Sequence, residues 1–391
     1  MTPPFADRMQ NLGTETAFEV LVKARALEAQ GRHVIHLEIG EPDFPTPPNI
    51  VEAGVRALRD GLTKYGPSAG LPELREAICE NLWTTRRVRA TPDQVVVTPG
   101  AKPIIFFGIL ATVNPGDEVL LPDPGFPIYE SVVRFVGGVP VSVPLLESNG
   151  FALDLAALER LVTPRTRLLI FNSPANPTGG VIPPADIERI AEFALRHDLW
   201  VMADEIYSQI LYEGTHASIA ALPDLAARTI LIDGFSKTYA MTGWRLGYGV
   251  MPEALAAHVT RLVVNSNSCT AGFVQAAGIE ALRGPQDASR AMVAEFRKRR
   301  DLIVARLNEI PGIRCTLPQG AFYAFPNVSA LPVDARTFAD RLLEEHGVAA
   351  LAGTCFGAGG DGYLRLSYAN STENLMAAAD RIAEAVHSLS G

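Results

Sequence analysis

Between residues 50 and 250 five short apolar runs recur, separated by helical stretches: Gln94-Val-Val-Val97, Glu118-Val-Leu-Leu121, Leu168-Leu-Ile-Phe171, Leu199-Trp-Val-Met202 and Thr229-Ile-Leu-Ile232. Beyond their first residues no polar side chain alternates with the apolar ones, so neither face of such a strand suits water. Strands buried on both faces and spaced by amphipathic helices make a parallel sheet covered on both sides. The pattern predicts an α/β fold in which a mostly parallel sheet of about seven strands is sandwiched by helices.

The rhythm changes after residue 252. Two long helical segments, one through Ala281 and one from Gln286 to Asn308, lead into strands at Ala321–Phe325 and Tyr363–Ser367, mixed with helices at 335–346 and 372–388. This predicts a smaller α+β domain. At the other end lie a helix over 17–30, a strand at Val34–Ile39 and the crossing loop Gly40-Glu-Pro-Asp-Phe-Pro. The expected division is an N-terminal arm contributing to the small domain (1–45), a large domain (46–285) and a small C-terminal domain (286–391).

Bulk properties exclude several classes of function. A hydrophobic content of 48% with 20% charged residues argues against general disorder. The net charge of −9, without any basic block, argues against a nucleic-acid or anionic-membrane partner. No apolar stretch approaches the roughly 20 residues that span a bilayer. The N-terminus lacks the basic and apolar regions of a signal peptide, and the four cysteines have no C-x-x-C spacing. Reduced thiols in the cytoplasm are the expectation. The seven histidines show no metal-ligand spacing, so no metal is expected.

In an open parallel sheet, ligands bind beyond the carboxyl ends of the strands. The first run leads into Gly100-Ala101-Lys102-Pro103, the third into Asn172-Ser-Pro-Ala-Asn176-Pro-Thr-Gly, and the fourth into Ala203-Asp204-Glu-Ile-Tyr207. The fifth leads into Asp233-Gly-Phe-Ser236-Lys237, with Arg245 eight residues further on. Each piece has a plain reading. Gly100–Pro103 suits a helix start as well as a phosphate cradle; Asp204 suits a helix cap; Asn176-Pro-Thr-Gly suits a turn; Lys237 suits a surface loop. Taken together they meet the needs of pyridoxal phosphate. That cofactor requires a lysine for its aldehyde, a carboxylate for the pyridine nitrogen, donors at the ring oxygen and a cationic, amide-rich cup for the phosphate.

Tyr65-Gly-Pro, Gly100-Ala-Lys102, Asn176-Pro-Thr-Gly179, Asp204-Glu-Ile-Tyr207, Ser236-Lys-Thr, Gly243-Trp-Arg245-Leu-Gly, Gly320-Ala-Phe-Tyr and Arg365-Leu-Ser-Tyr follow one another in the order found in a known family. Over nearly its whole length the chain resembles the class I/II aminotransferases of fold type I, in the bacterial branch that includes aspartate and aromatic aminotransferases. The resemblance implies that Lys237 bonds the cofactor and later moves the substrate proton, that Asp204 pairs with the pyridine nitrogen, and that Tyr207 and Asn176 donate to the ring oxygen. It assigns the phosphate to Arg245 and the amides of Gly100, Ala101 and Lys102, with Ser236 or Thr238 as further donors. Phe126 is expected to stack on the ring. Arg365, Asn176 and the Gly40 amide are expected to clamp the substrate carboxylate. Tyr65 would complete the site of a neighbouring subunit, implying a homodimer.

Two departures from the family pattern matter. Many members carry a phosphate-binding serine three residues before the lysine, where this chain has Gly234; and residues 262–282 contain no arginine for a distal carboxylate. In one bacterial branch a lysine at the position of Lys102 takes that second role, so Lys102 could meet phosphate, a substrate's far carboxylate, or solvent. The expected activity is a ping-pong transaminase acting on an L-amino acid and a 2-oxo acid, tilted toward acidic partners. The alternatives are an aromatic or broad-specificity aminotransferase, for which Phe126 and Ser266–Gly272 could line an apolar pocket, and a lyase or synthase such as a β-C–S lyase on the same scaffold. A transcription-regulator effector domain fits poorly, since only about fifteen residues precede the first helix and none form a basic DNA-binding segment. Gly357-Ala-Gly-Gly-Asp-Gly362 matches G-x-G-x-x-G but precedes a strand-like run, which argues against a dinucleotide site.

Overall fold

The computed structural model describes residues 5–389. The first strand, β1 (Ile35–His36), belongs to a small sheet, while the next seven make the central one: β2 (Val95–Thr98), β3 (Glu118–Asp123), β4 (Val139–Pro144), β5 (Thr166–Asn172), β6 (Trp200–Asp204), β7 (Thr229–Gly234) and β8 (Gly247–Val250). Their order is β2-β8-β7-β6-β5-β3-β4. The ladders joining β4, β3, β5, β6 and β7 are parallel, whereas β8 runs antiparallel to both β7 and β2.

The two-residue period of a strand explains the layering. Leu168, Ile170, Met202, Ile230 and Ile232 point into one core, shared with Ile104, Ile105, Val132 and Val259 of helices Lys102–Thr112, Ile128–Phe135 and Glu253–Ser266. Their alternating neighbours Leu169, Phe171, Val201 and Ala203 face the opposite way, onto Leu158, Ile187 and Ile190 of helices Leu155–Leu161 and Pro184–Arg196. On that same side Leu231 and Val97 meet Leu74, Ile78 and Ala277 of helices Pro72–Arg86 and Gly272–Arg283. Burying each Leu, Ile or Val is worth about 1.5–3 kcal/mol, so both faces of the sheet drive its assembly.

The remaining strands are β9 (Tyr323–Ala324), β10 (Val348–Ala349), β11 (Leu351–Ala352) and β12 (Leu364–Ser367). β12 pairs antiparallel with β11 and β9, and β1 pairs parallel with β10. Ile35 and Leu37 thereby share a core with Phe322, Phe338, Leu342 and Ile382. Helix Asp287–Asn308 adds Met292, Phe296, Ile303 and Leu307, spaced to fall on one face.

Element boundaries differ from the sequence reading where glycine or a tight turn intervenes. The first helix spans Thr16–Glu28 and the chain turns at Gly31, whose φ is +85°. The helical segment expected through Ala281 is two helices, broken after Ser266 where Ser268 takes a φ of 64°. Among the described residues no helix is long and apolar enough to cross a membrane.

Candidate active site

The carboxyl ends of β2, β5, β6 and β7 share one rim, and the loops beyond them line a cavity of about 490 Å³. Ala101, Lys102, Phe126, Asn176, Asp204, Tyr207, Ser236, Lys237 and Arg245 reach it from the central sheet, Gly40 from the N-terminal crossing loop, and Arg365 from β12.

Lys237 follows β7, and its ammonium donates to the Gly40 carbonyl oxygen. The rings of Tyr207 and Phe322 lie with centroids 5.8 and 5.7 Å from Nζ. Burial, reinforced by the nearby Arg365 guanidinium, pulls its pKa down to about 8. A lysine so placed is largely cationic at neutral pH yet readily gives the free amine that nucleophilic chemistry needs.

Asp204 closes β6. Its Oδ2 accepts from Tyr129 Oη at 2.7 Å, and its Oδ1 from the Ile206 amide at 3.2 Å. Burial raises its pKa to about 6, and the Tyr129 hydroxyl only partly counters this. Among the described residues no cation pairs with this carboxylate. It is a buried acceptor whose ionised form is short of a positive partner.

Tyr207 Oη and Tyr323 Oη are 2.7 Å apart, and burial pushes the Tyr207 phenol well above its ordinary pKa. Asn176 is held by Asn172, whose Oδ1 accepts from the Asn176 amide at 2.7 Å while its Nδ2 donates to the Asp204 carbonyl oxygen at 2.9 Å. Arg365 Nη1 donates to Asn176 Oδ1 at 3.2 Å, and Nη2 donates to the Glu38 carbonyl oxygen. Arg365 Nε is buried without a partner among the described residues. The guanidinium is thus fixed in place with donor capacity to spare.

Arg245 reaches back over Gly100. A Cβ at Gly100, whose φ is +87°, would sit 2.8 Å from Arg245 Cζ, so glycine there leaves room for the guanidinium. Arg245 itself holds a left-handed φ of 56° and donates to the Thr242 carbonyl oxygen at 2.8 Å. Beside it, helix Lys102–Thr112 starts at the cavity, presenting an N-terminal positive dipole. The departure at Gly234 has a packing reason: a Cβ there would lie 3.0 Å from Gly247 Cα and 3.1 Å from the Leu246 carbonyl oxygen, across the β7–β8 ladder.

Some expected residues stand apart. Tyr65 is 90% exposed and lies outside the cavity. Thr238 is buried and lines a different groove, beside Glu80 and Gln286. Ser266–Gly272 do not line the cavity. Lys102 forms an ion pair with Glu15. Tyr129, Asn172, Tyr323 and Glu15 carry no role in the sequence reading. Tyr323 lies within the matched Gly320-Ala-Phe-Tyr stretch and Asn172 opens the strand-end loop that carries Asn176, whereas Tyr129 and Glu15 have no local motif to betray them. Among the described residues no cluster of three or more His, Cys, Asp or Glu could hold a metal.

The donor set fits pyridoxal phosphate: an amine with a depressed pKa, a buried carboxylate with no cation beside it among the described residues, and an arginine packed over Gly100 at a helix N-terminus. The family model for aminotransferase class I and II matches residues 32–382. The chain belongs to this family. It is therefore a pyridoxal-phosphate enzyme that moves an amino group between an L-amino acid and a 2-oxo acid by a ping-pong mechanism. It is 40% identical to an aspartate aminotransferase of Musicola paradisiaca, over 97% of this chain and 96% of that one. It is 42% identical to a probable aspartate/prephenate aminotransferase of Aquifex aeolicus, over the full length of both. The aspartate aminotransferase of Thermus thermophilus, solved with maleate, superposes with a TM-score of 0.93 at 40% identity, covering 98% of this chain and 100% of that one.

Proposed function

We propose that this aminotransferase has a modest preference for acidic partners, aspartate or glutamate with their 2-oxo acids, and that the cavity at the strand ends is its active site. The observation that carries this reading is the meeting of Lys237, Asp204 and Arg365 in one cavity, brought there by the loop after β7, the end of β6 and the interior of β12. Named relatives acting on aspartate, and a neighbour solved with the dicarboxylate maleate, support the acidic preference. Lys102, at the cavity mouth, is the cation available to a second carboxylate.

When bound, the cofactor supplies an electron sink that stabilises a carbanion at the substrate α-carbon. Lys237 would hold the cofactor through its aldehyde carbon, and its amine would be the group placed to move the α-proton. Asp204, oriented by Tyr129, would keep the pyridine nitrogen protonated, and the cation so formed would be the partner its carboxylate lacks among the described residues. Tyr207 and Asn176 donate to the ring oxygen, and Phe126 packs against the ring. Arg245, Ser236 and the amides of Gly100, Ala101 and Lys102 hold the phosphate. Arg365, with Asn176 and Gly40, takes the α-carboxylate. This scheme leaves the substrate side chain facing Lys102.

The exposed Tyr65 suits a homodimer in which it completes the partner's site. Exposed Leu58, Leu62 and Val264 suit such an interface as well. We assign residues 46–285 to the large cofactor-binding domain, and 1–45 with 286–391 to the smaller one. A cytoplasmic location agrees with the unpaired cysteines.

Single-turnover spectroscopy tests the reaction. Holoenzyme mixed with aspartate alone should change its cofactor absorbance and release one equivalent of oxaloacetate. Steady release of pyruvate and ammonia from a β-substituted amino acid, with no such stoichiometric step, would instead favour the lyase alternative.

A further inference from the structure

Lys102 already has an anion. Its ammonium pairs with the Glu15 carboxylate, with the Phe18 and Phe126 ring centroids 6.0 and 5.5 Å away. Glu15 occupies the cap position of helix Thr16–Glu28, where a polar side chain ordinarily accepts the first free amides. Here it caps nothing. It reaches instead to a residue 87 positions along the chain, and both partners line the cavity. The pair is at the wet mouth rather than the dry floor, with the two side chains 42% and 21% exposed.

The segment carrying Glu15 is lightly fastened. Asp7–Asn11 buries no residue, and helix Thr16–Glu28 buries only Ala24. The Gly13 amide donating to Ser131 Oγ at 2.8 Å ties the strand of chain between them to the central fold. Few buried contacts mean that a small shift of this strap costs little.

We propose that Glu15 is a specificity-determining residue that neutralises Lys102 when the substrate side chain is uncharged and yields it to the distal carboxylate of a dicarboxylic substrate. This rests on the aminotransferase reading of the cavity. With an apolar or aromatic side chain the closed Glu15–Lys102 pair adds no net charge, and Phe18 and Phe126 offer apolar surface beside it. With a dicarboxylate, two carboxylates compete for one ammonium, and their repulsion disfavours keeping both. Glu15 must then swing away. It therefore penalises acidic substrates relative to uncharged ones and lets one site accept both classes.

The test uses holoenzyme carrying Glu15→Gln, Glu15→Asp or the double change Glu15→Gln with Lys102→Ala, in single-turnover and steady-state assays with aspartate and phenylalanine. In Glu15→Gln the KM for aspartate should fall about tenfold with kcat nearly constant, while the KM for phenylalanine stays level or rises. Glu15→Asp should restore the wild-type ratio, and the double change should abolish the gain. Equal effects on both substrates, or none on either, overturn the inference. Failure of the wild-type enzyme to react with any amino acid would instead overturn the reading of the cavity on which it rests.

Discussion

Asp204 and Glu205 are consecutive, both fully buried, and yet opposite in character. Asp204 faces the cavity, meets a phenol and an amide, and titrates at about 6 because burial outweighs those donors. Glu205 points to the other side of the strand end. Burial pushes its pKa up as well, but His216 and Arg86 hold it down at about 2. Arg86 Nη1 donates to Glu205 Oε2 at 2.8 Å, and Ser218 Oγ donates to Oε1 at 2.6 Å. Arg86 Nη2 pairs with Asp233, at the end of β7. One carboxylate is satisfied within the protein and ties β6 to β7. Among the described residues its neighbour meets no cation, and the proposed pairing with the cofactor nitrogen would supply one. The difference separates structural charge from functional charge at a single strand end.

The largest expected effect breaks the satisfied side. Arg86→Ala strands two buried carboxylates and should cost about 3–5 kcal/mol of stability, read by denaturant unfolding; a loss below about 1 kcal/mol would mean the network contributes little. On the unsatisfied side, Asp204→Asn should lower kcat/KM about 10²–10³-fold, because a neutral amide cannot keep the pyridine nitrogen protonated. The same substitution should stabilise the apoenzyme at pH 8 by up to about 3 kcal/mol. The sign follows from linkage. A folded-state pKa raised to about 6 makes the ionised form a liability above that pH. The liability fades as pH falls through 6 toward the unfolded value, so the melting-temperature gap between apo wild type and Asp204→Asn should close by about pH 4. A gap constant across that range would show that the carboxylate is not strained by burial.

Much of this was readable in the chain. Unbroken apolar runs announce the sheet because burial on both faces removes polar alternation, and the loops after those runs announce the rim. β4 escaped that reading: its residues Val139–Pro144 include Ser142 and are only partly buried at the sheet edge. The break between Ser266 and Gly272 has no proline, but the cluster Asn265-Ser-Asn-Ser-Cys-Thr270 is a loop signal that a single long helix ignores. Tyr129 could not be assigned because its contact with Asp204 bridges 75 positions. Glu15 was equally silent. A glutamate before a helix looks like an ordinary helix start, and only the fold brings it to Lys102.

The central claim is that Lys237, at the end of β7, bears the cofactor. The sequence has five lysines, Lys23, Lys64, Lys102, Lys237 and Lys298. Borohydride reduction of the holoenzyme, followed by peptide mapping, locates the lysine bonded to pyridoxal phosphate. The account predicts a single stoichiometric label on Lys237; a label on Lys102, or one spread among the lysines, would contradict it.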